Sequence, residues 1–276
     1  MNRPTSMICP SCGNLISTEE TQCPMCGARR PNLFGIGPYL SRLFGQHIDI
    51  LTLIPTTCIA LYVLTLVLDL NSALSGRGGI FGMLSPGPRP LYLLGMTGGL
   101  ARGDWWTVLT ATYLHGSLLH ILFNVMWIRQ LGPEVGSVYG PARFFIIYTA
   151  GGTFGFLLSN ALSGAPTIGA SGAIFGLLAA LIVYGRSQGS SMAMMTRQVW
   201  QWAIFLFIFG FIMSGVNNYA HLGGFIGGWI ASQLLVSGAG YRDSRWATIF
   251  AIVLLLLTGA GYAVSIVNNV GVLYLQ

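Results

Sequence analysis

The sequence predicts an all-α, polytopic membrane protein with a small four-cysteine unit at its N-terminal end. Three observations predict it. The 276 residues are 53% hydrophobic and only 7% charged, whereas a soluble domain carries about 25% charged residues. Seven apolar segments recur at about 50–70, 116–132, 142–162, 171–186, 199–214, 218–237 and 247–267, several of them near the ~20 residues that cross a bilayer. Four of the five cysteines fall within residues 1–30, ahead of every apolar segment.

Cys9-Pro10-Ser11-Cys12-Gly13 and Cys23-Pro24-Met25-Cys26-Gly27 are two nearly identical knuckles. Each sets two thiolates on one turn, and the glycine after the second cysteine permits a left-handed backbone there. Four thiolates suit tetrahedral zinc and close its coordination sphere, so the expected metal is structural and not catalytic. Matched knuckles argue against disulfides and against a redox dithiol. A unit this short has no core of its own and would lean on the metal to fold. Residues 1–30 are thus expected to form a zinc-ribbon-like module with Cys9, Cys12, Cys23 and Cys26 as ligands, similar to the zinc ribbons appended to many microbial proteins. They do not read as a secretory signal, which needs a basic tip and an apolar core. Residues 31–47, with Leu33, Phe34, Tyr39, Leu40, Leu43 and Phe44 beside Arg42, read as an amphipathic linker lying on the membrane surface. The fifth cysteine, Cys58, reads as a small buried hydrophobe.

The net charge of +6 comes from thirteen arginines, no lysine and seven acids. In a membrane protein that balance reflects orientation, so no nucleic-acid partner is expected. Arg3, Arg29, Arg30, Arg42, Arg129, Arg143, Arg186, Arg197, Arg242 and Arg245 fall on one side of an alternating topology; Arg77, Arg89 and Arg102 fall on the other. Ten against three predicts a cytoplasmic N-terminus. Seven spans then put the C-terminus outside. A reducing compartment again favours zinc over disulfides in the N-terminal unit. Residues 71–115 would be a long extracytoplasmic loop, rich in glycine, proline and aromatics. A structureless loop of that length is unusual, and Trp105, Trp106 and Tyr113 favour the interface. The loop is expected to fold partly into the outer leaflet.

Ionisable and polar groups at bilayer depth are costly and mark function. Ser171, within Gly169-Ala170-Ser171-Gly172, stands at the start of one segment, and His221, within Ala220-His221-Leu222-Gly223-Gly224, stands near the start of another. Free amides and the positive end of the helix dipole collect at such a start and stabilise a developing oxyanion. A simple helix cap is the plain alternative for Ser171. His221 shifts the weight, because its helix carries Gly223, Gly224, Gly227 and Gly228 while the Ser171 helix carries Gly172, Gly176 and Ala180. Small residues at this spacing let membrane helices approach closely, as a serine–histidine pair requires. His115, His120 and Asn124 form a third cluster. His120 and Asn124 share a helix face and both can donate to an oxyanion, or serve as interhelical polar glue. No carboxylate accompanies them to suggest a metal, and no acid stands near His221. The chemistry reads as a Ser171–His221 dyad with no catalytic cofactor.

In this order and on these segments, HGSLLHILFN at 115–124, GASG at 169–172 and AHLGG at 220–224 resemble the rhomboid intramembrane serine proteases. The resemblance covers about residues 48–237. It implies a six-helix catalytic core, with the seventh segment added within 238–276, Ser171 as nucleophile and His221 as general base. It also implies His120, Asn124 and the Ser171 amide as oxyanion donors, with His115, Gly169 and Gly172 in support and Phe175 packed on the histidine. Residues 71–115 resemble the family's membrane-dipped first loop. Thr107 departs from a common arginine and Asn217 from a common aspartate. The implied substrates are transmembrane protein segments, met within the lipid bilayer of a bacterial inner membrane. The role of the zinc module lies outside the resemblance: it would dock a cytoplasmic protein partner or gate activity. The rival expectation is a non-catalytic relative that binds or escorts membrane clients. A transporter fits poorly, since carboxylates and an inverted repeat are missing.

Overall fold

The computed structural model describes residues 6–9, 14–17, 20, 22–25, 49–75, 79–98, 100, 103–213, 215–238 and 243–270. Near the N-terminus β1 (Ser6–Ile8) pairs antiparallel with β2 (Leu15–Ser17), Ser6 opposite Ser17. Everything else described is helix, turn or loop. The long helices are α1 (Ile50–Leu68), α5 (Leu118–Tyr139), α6 (Pro141–Leu162), α7 (Ser171–Ser187), α8 (Ala193–Ile212), α9 (Asn218–Leu235) and α10 (Arg245–Asn269). Between α1 and α5 lie three short α-helices, α2 (Leu70–Leu74), α3 (Pro88–Leu93) and α4 (Thr107–Thr110), and two 3-10 turns at Gly79–Gly82 and Ala111–Tyr113.

These helices coincide with the seven expected apolar segments, with two differences. Helix α5 runs on to Tyr139, taking in Glu134, and α8 begins at Ala193, so Arg197 sits on a helix and not in a loop. Intrahelical bonds and a buried apolar stripe carry α5 past its charged residues, a tertiary effect that hydropathy alone misses. Among the described residues four helical stretches are individually long and apolar enough to cross a membrane: 50–68, 141–162, 189–212 and 245–269. The protein is an integral, multi-pass membrane protein. The segment Thr107–Tyr113 meets α5 at a 95° bend, which turns the chain back at His115. Helix α7 has 17 residues, about 25 Å at 1.5 Å per residue. It can be short because other helices cover it; all but a few of its residues are buried.

The centre of the bundle is α6, α7 and α9, with α5 and α8 packing on α7 and α10 packing on α6, α3 and α4. Tyr139, Phe144, Phe145, Tyr148, Leu177 and Leu178 are fully enclosed there. The N-terminal ends of α6 and α10 are joined by one ion pair. Helix α6 has no side-chain cap of its own, and Asp243, about a hundred residues on, supplies it: Oδ2 accepts from the Ala142 amide at 2.9 Å and Oδ1 accepts from Arg143 at 3.3 Å. Arg143 is buried and Asp243 is partly so, its side chain 11% exposed. Desolvation pushes the Asp243 carboxyl above its ordinary range, against the opposing pull of the Ala142 amide and Arg143. Its contribution to stability is therefore complete below the ordinary carboxylate range and falls as pH rises through the raised folded pKa.

Removing one partner of a buried pair strands the other charge. Asp243→Ala is expected to lower stability by about 3 kcal/mol, read as a lowered unfolding midpoint in detergent. Asp243→Asn, which keeps an acceptor for the Ala142 amide, should lose less.

Candidate active site

Glycines decide how closely the central helices approach. A Cβ on Gly224 would overlap the Gly172 carbonyl, and one on Gly228 would overlap the backbone of Gly176. On the adjacent line of α9, Gly223 and Gly227 lie against the backbone and side chains of α6 around Phe154. Across α6, a Cβ on Gly151 would stand 3.1 Å from the Gly176 Cα, and one on Gly155 2.7 Å from the Ala220 carbonyl oxygen. The three helices are thus in backbone contact near the ends that bear Ser171 and His221.

Ser171 is half-buried and is the first residue of α7; Ala170 occupies the cap position and makes no side-chain cap bond. The first backbone bond of the helix is Ile174 N–H to the Ala170 carbonyl at 2.9 Å. The amides of Ser171 and Gly172 are therefore not spent inside the helix. Ser171 is not acting as the helix cap, which removes the plain alternative for that residue. Among the described residues its Oγ forms no hydrogen bond. Gly169 has φ +118°, a conformation favouring glycine, and its amide donates to the Ala111 carbonyl at 3.0 Å. A Cβ there would stand 2.6 Å from His120 Nε2. Glycine at 169 is thus what lets the imidazole reach the serine turn.

His221 is buried in the first turn of α9 and stacks on Phe175, centroids 4.5 Å apart and planes at 21°. Phe175 follows Ser171 by one turn on α7, so the stack ties the histidine to the serine's helix. His221 Nδ1 lies 3.1 Å from Asn218 Oδ1. That acceptor selects the Nδ1–H tautomer and leaves Nε2 with its lone pair. Asn218 was missed in the sequence; the signal was its i, i+3 spacing from His221 at a helix start. Gly210 of α8 makes room for it, because a Cβ there would overlap Asn218 Oδ1.

His120 Nδ1 accepts from the Gly116 amide at 3.3 Å, so in the neutral ring the hydrogen is on Nε2, on the side of Gly169. Asn124 is buried and its Nδ2 donates to the His120 carbonyl at 2.8 Å. That bond lies within α5, so Asn124 is not interhelical glue. His115 is fully buried behind His120, rings 5.0 Å apart edge-on, with Nδ1 3.2 Å from the Tyr113 carbonyl. Asn217 caps α9, its Oδ1 accepting from the Tyr219 and Ala220 amides, and its Nδ2 donates to Ser159 at 2.7 Å and Thr167 at 3.1 Å. It fastens the His221 helix to α6 and to the strand of chain leading into Ser171.

Of the four cysteines expected to hold zinc, Cys9 and Cys23 are buried within the N-terminal unit. Cys12, Cys26 and the expected amphipathic segment 31–47 lie outside the described residues. Among the described residues no three histidine, cysteine or acidic side chains gather as a metal site.

A multi-pass helical protein that brings a serine, three histidines and an asparagine to one end of a glycine-packed bundle is a narrow class. The Rhomboid domain matches residues 102–238. Rhomboid protease GluP of Bacillus subtilis (strain 168) is 36% identical over 168 residues, 59% of this chain and 32% of that protein. The candidate rhomboid protease YdcA of the same organism is 34% identical over 144 residues, 50% of this chain and 71% of YdcA. RHOMBOID-like protein 4 of Arabidopsis thaliana is 29% identical over 213 residues, 67% of this chain and 53% of that protein. The chain belongs to the rhomboid family, and it spans only about a third of the length of GluP.

The close approach at the glycines has a direct test. Gly228→Val should cost about 3 kcal/mol or more by overpacking and broaden or abolish the unfolding transition. Gly259→Ala, which meets open space, should leave it unchanged.

Proposed function

We propose that this protein is an intramembrane serine endopeptidase that cleaves transmembrane segments with a Ser171–His221 dyad. The observation that carries the reading is the His221–Phe175 stack, one turn from a serine whose hydroxyl has no structural task. Ser171 Oγ attacks a substrate carbonyl while His221 Nε2 takes its proton. The oxyanion is met by the Ser171 amide, His120 Nε2–H and the second Nδ2 hydrogen of Asn124. The tetrahedral intermediate collapses, His221 hands its proton to the departing amine, and an acyl ester on Ser171 remains. Water, deprotonated by His221, then releases the second product. Asn218 holds the imidazole in the tautomer this sequence needs. Ser171 Oγ and His221 Nε2 are not hydrogen-bonded in the structure, and in this mechanism the bond forms in the substrate complex.

Buried polar groups at one membrane depth require water to reach them, and a helical substrate must unwind there to expose its carbonyls. The rest of the proposal is a bacterial inner-membrane protein with seven crossings, a cytoplasmic N-terminus and an extracytoplasmic C-terminus. Cys9, Cys12, Cys23 and Cys26 would hold one structural zinc; the burial of Cys9 and Cys23 beside a minimal hairpin supports this. That module would engage a cytoplasmic protein. Metal analysis should find one zinc per chain, and tags at the two ends should be protected on opposite sides of the membrane. A zinc-free chain or tags on one side would remove the corresponding part.

The activity is tested with a fluorophosphonate probe on the purified protein in lipid. The parent should label, and Ser171→Ala and His221→Ala should fall to background. Asn218→Ala should label roughly 2- to 12-fold more slowly, the worth of one hydrogen bond. A folded parent that does not label in detergent or lipid would instead point to a non-catalytic protein that binds membrane clients.

A further inference from the structure

Helix α10 lies outside the central trio, and its buried face, apolar at Ala247 and Ala251, turns partly polar in its C-terminal half. Thr258, Gly261 and Ser265 form a small, partly polar stripe that is buried on an otherwise lipid-type helix. Membrane helices lacking a hydrophobic drive to associate use such residues to pack and bond. Here the stripe is aimed at the long loop. Trp106 Nε1 donates to Ser265 Oγ at 2.8 Å, and Tyr262 OH donates to the Thr110 carbonyl at 2.8 Å. Gly95 closes the same spot: a Cβ on it would stand 2.6 Å from Ser265 Oγ. Thr110 Oγ1 in turn donates to the Gly95 carbonyl at 2.8 Å.

The residue after Thr110 is Ala111, whose carbonyl accepts the Gly169 amide at 3.0 Å. Gly169 is the glycine that admits His120 and stands two residues before Ser171. A continuous set of bonds therefore runs from α10 through loop residues 106–111 to the serine turn. No other described long helix offers the 106–111 segment two side-chain hydrogen bonds.

We infer that α10 is a positioning element for the active site, with Tyr262 and Ser265 as positioning residues that set the serine turn through Thr110, Ala111 and Gly169. Resting on the protease reading, the inference adds a catalytic task for a helix outside the six-helix core. Without these two bonds the 106–111 segment loosens, the Ala111 carbonyl drifts from the Gly169 amide, and the oxyanion donors lose register.

The test uses Tyr262→Phe/Ser265→Ala in the full chain, in lipid, with two readouts. Amide exchange by mass spectrometry should become about tenfold faster in the peptide covering 165–172, while peptides within α7 and α9 keep their protection. Probe labelling of Ser171 should slow about three- to tenfold, with the loss in the limiting rate and not in probe affinity. Unchanged exchange at 165–172, with changes confined to α10 and 106–113, would overturn the inference. Exchange reads the coupling even if the parent does not label, which would defeat the protease reading alone. Equal labelling rates beside faster exchange would deny the positioning role.

Discussion

Backbone contact between α7 and α9 is the constraint on which the rest depends. Ser171 and His221 lie 50 residues apart in the chain, on helices that only glycine lets touch. In lipid there is little hydrophobic gain in bringing two helices together, so dispersion and close packing carry the association. Gly172 and Gly176 facing Gly224 and Gly228 supply that contact, and α6 completes it with Gly151 and Gly155. The contact is steric and unforgiving, which makes it a good ruler. It places the first turns of α7 and α9 at one depth without any bond between the reactive side chains.

Around that ruler the polar groups are arranged so that few depend on the lipid for solvation. Asn217 caps α9 and bonds α6, and Asn218 orients His221. His120 is fixed by the Gly116 amide and Asn124 by its own helix. The loop between α1 and α5 is held from several sides: Tyr62 donates to the Leu84 carbonyl at 2.6 Å, Thr97 and Thr167 exchange bonds at 2.8 Å, and α10 grips Trp106 and Thr110. Among the described residues the Ser171 hydroxyl makes no hydrogen bond, and buried atoms such as His115 Nε2, Asn124 Oδ1 and Thr149 Oγ1 also lack a partner.

Much of this was legible in the sequence because it is local. Most helix limits followed from apolar runs, the end of α5 and the start of α8 excepted, and the serine and histidine stood out because polar residues at helix starts in lipid are expensive. The facing of Gly172 and Gly176 by α9 followed from spacing alone. The second glycine line was not legible in the same way: spacing shows that Gly223 and Gly227 share a face, but only packing shows that α6 occupies it. Helical spacing would have allowed Asn218 to be seen beside His221, yet an asparagine at a helix start reads first as a cap. The Trp106–Ser265 and Tyr262–Thr110 bonds join residues 159 and 152 positions apart, and no local pattern announces them. The 95° bend before α5 was equally hidden, since Leu114 to Ser117 carry no proline.

The central claim is that glycine contact delivers Ser171 to His221 as a reactive pair. An experimental structure of the protein after reaction with a fluorophosphonate tests it most directly. The account predicts phosphorus on Ser171 Oγ, His221 Nε2 within about 3.2 Å of that oxygen, the phosphonyl oxygen towards His120, and Gly224 still seated on Gly172. A phosphonyl group on another residue, or helices α7 and α9 parted at the glycines, would contradict it.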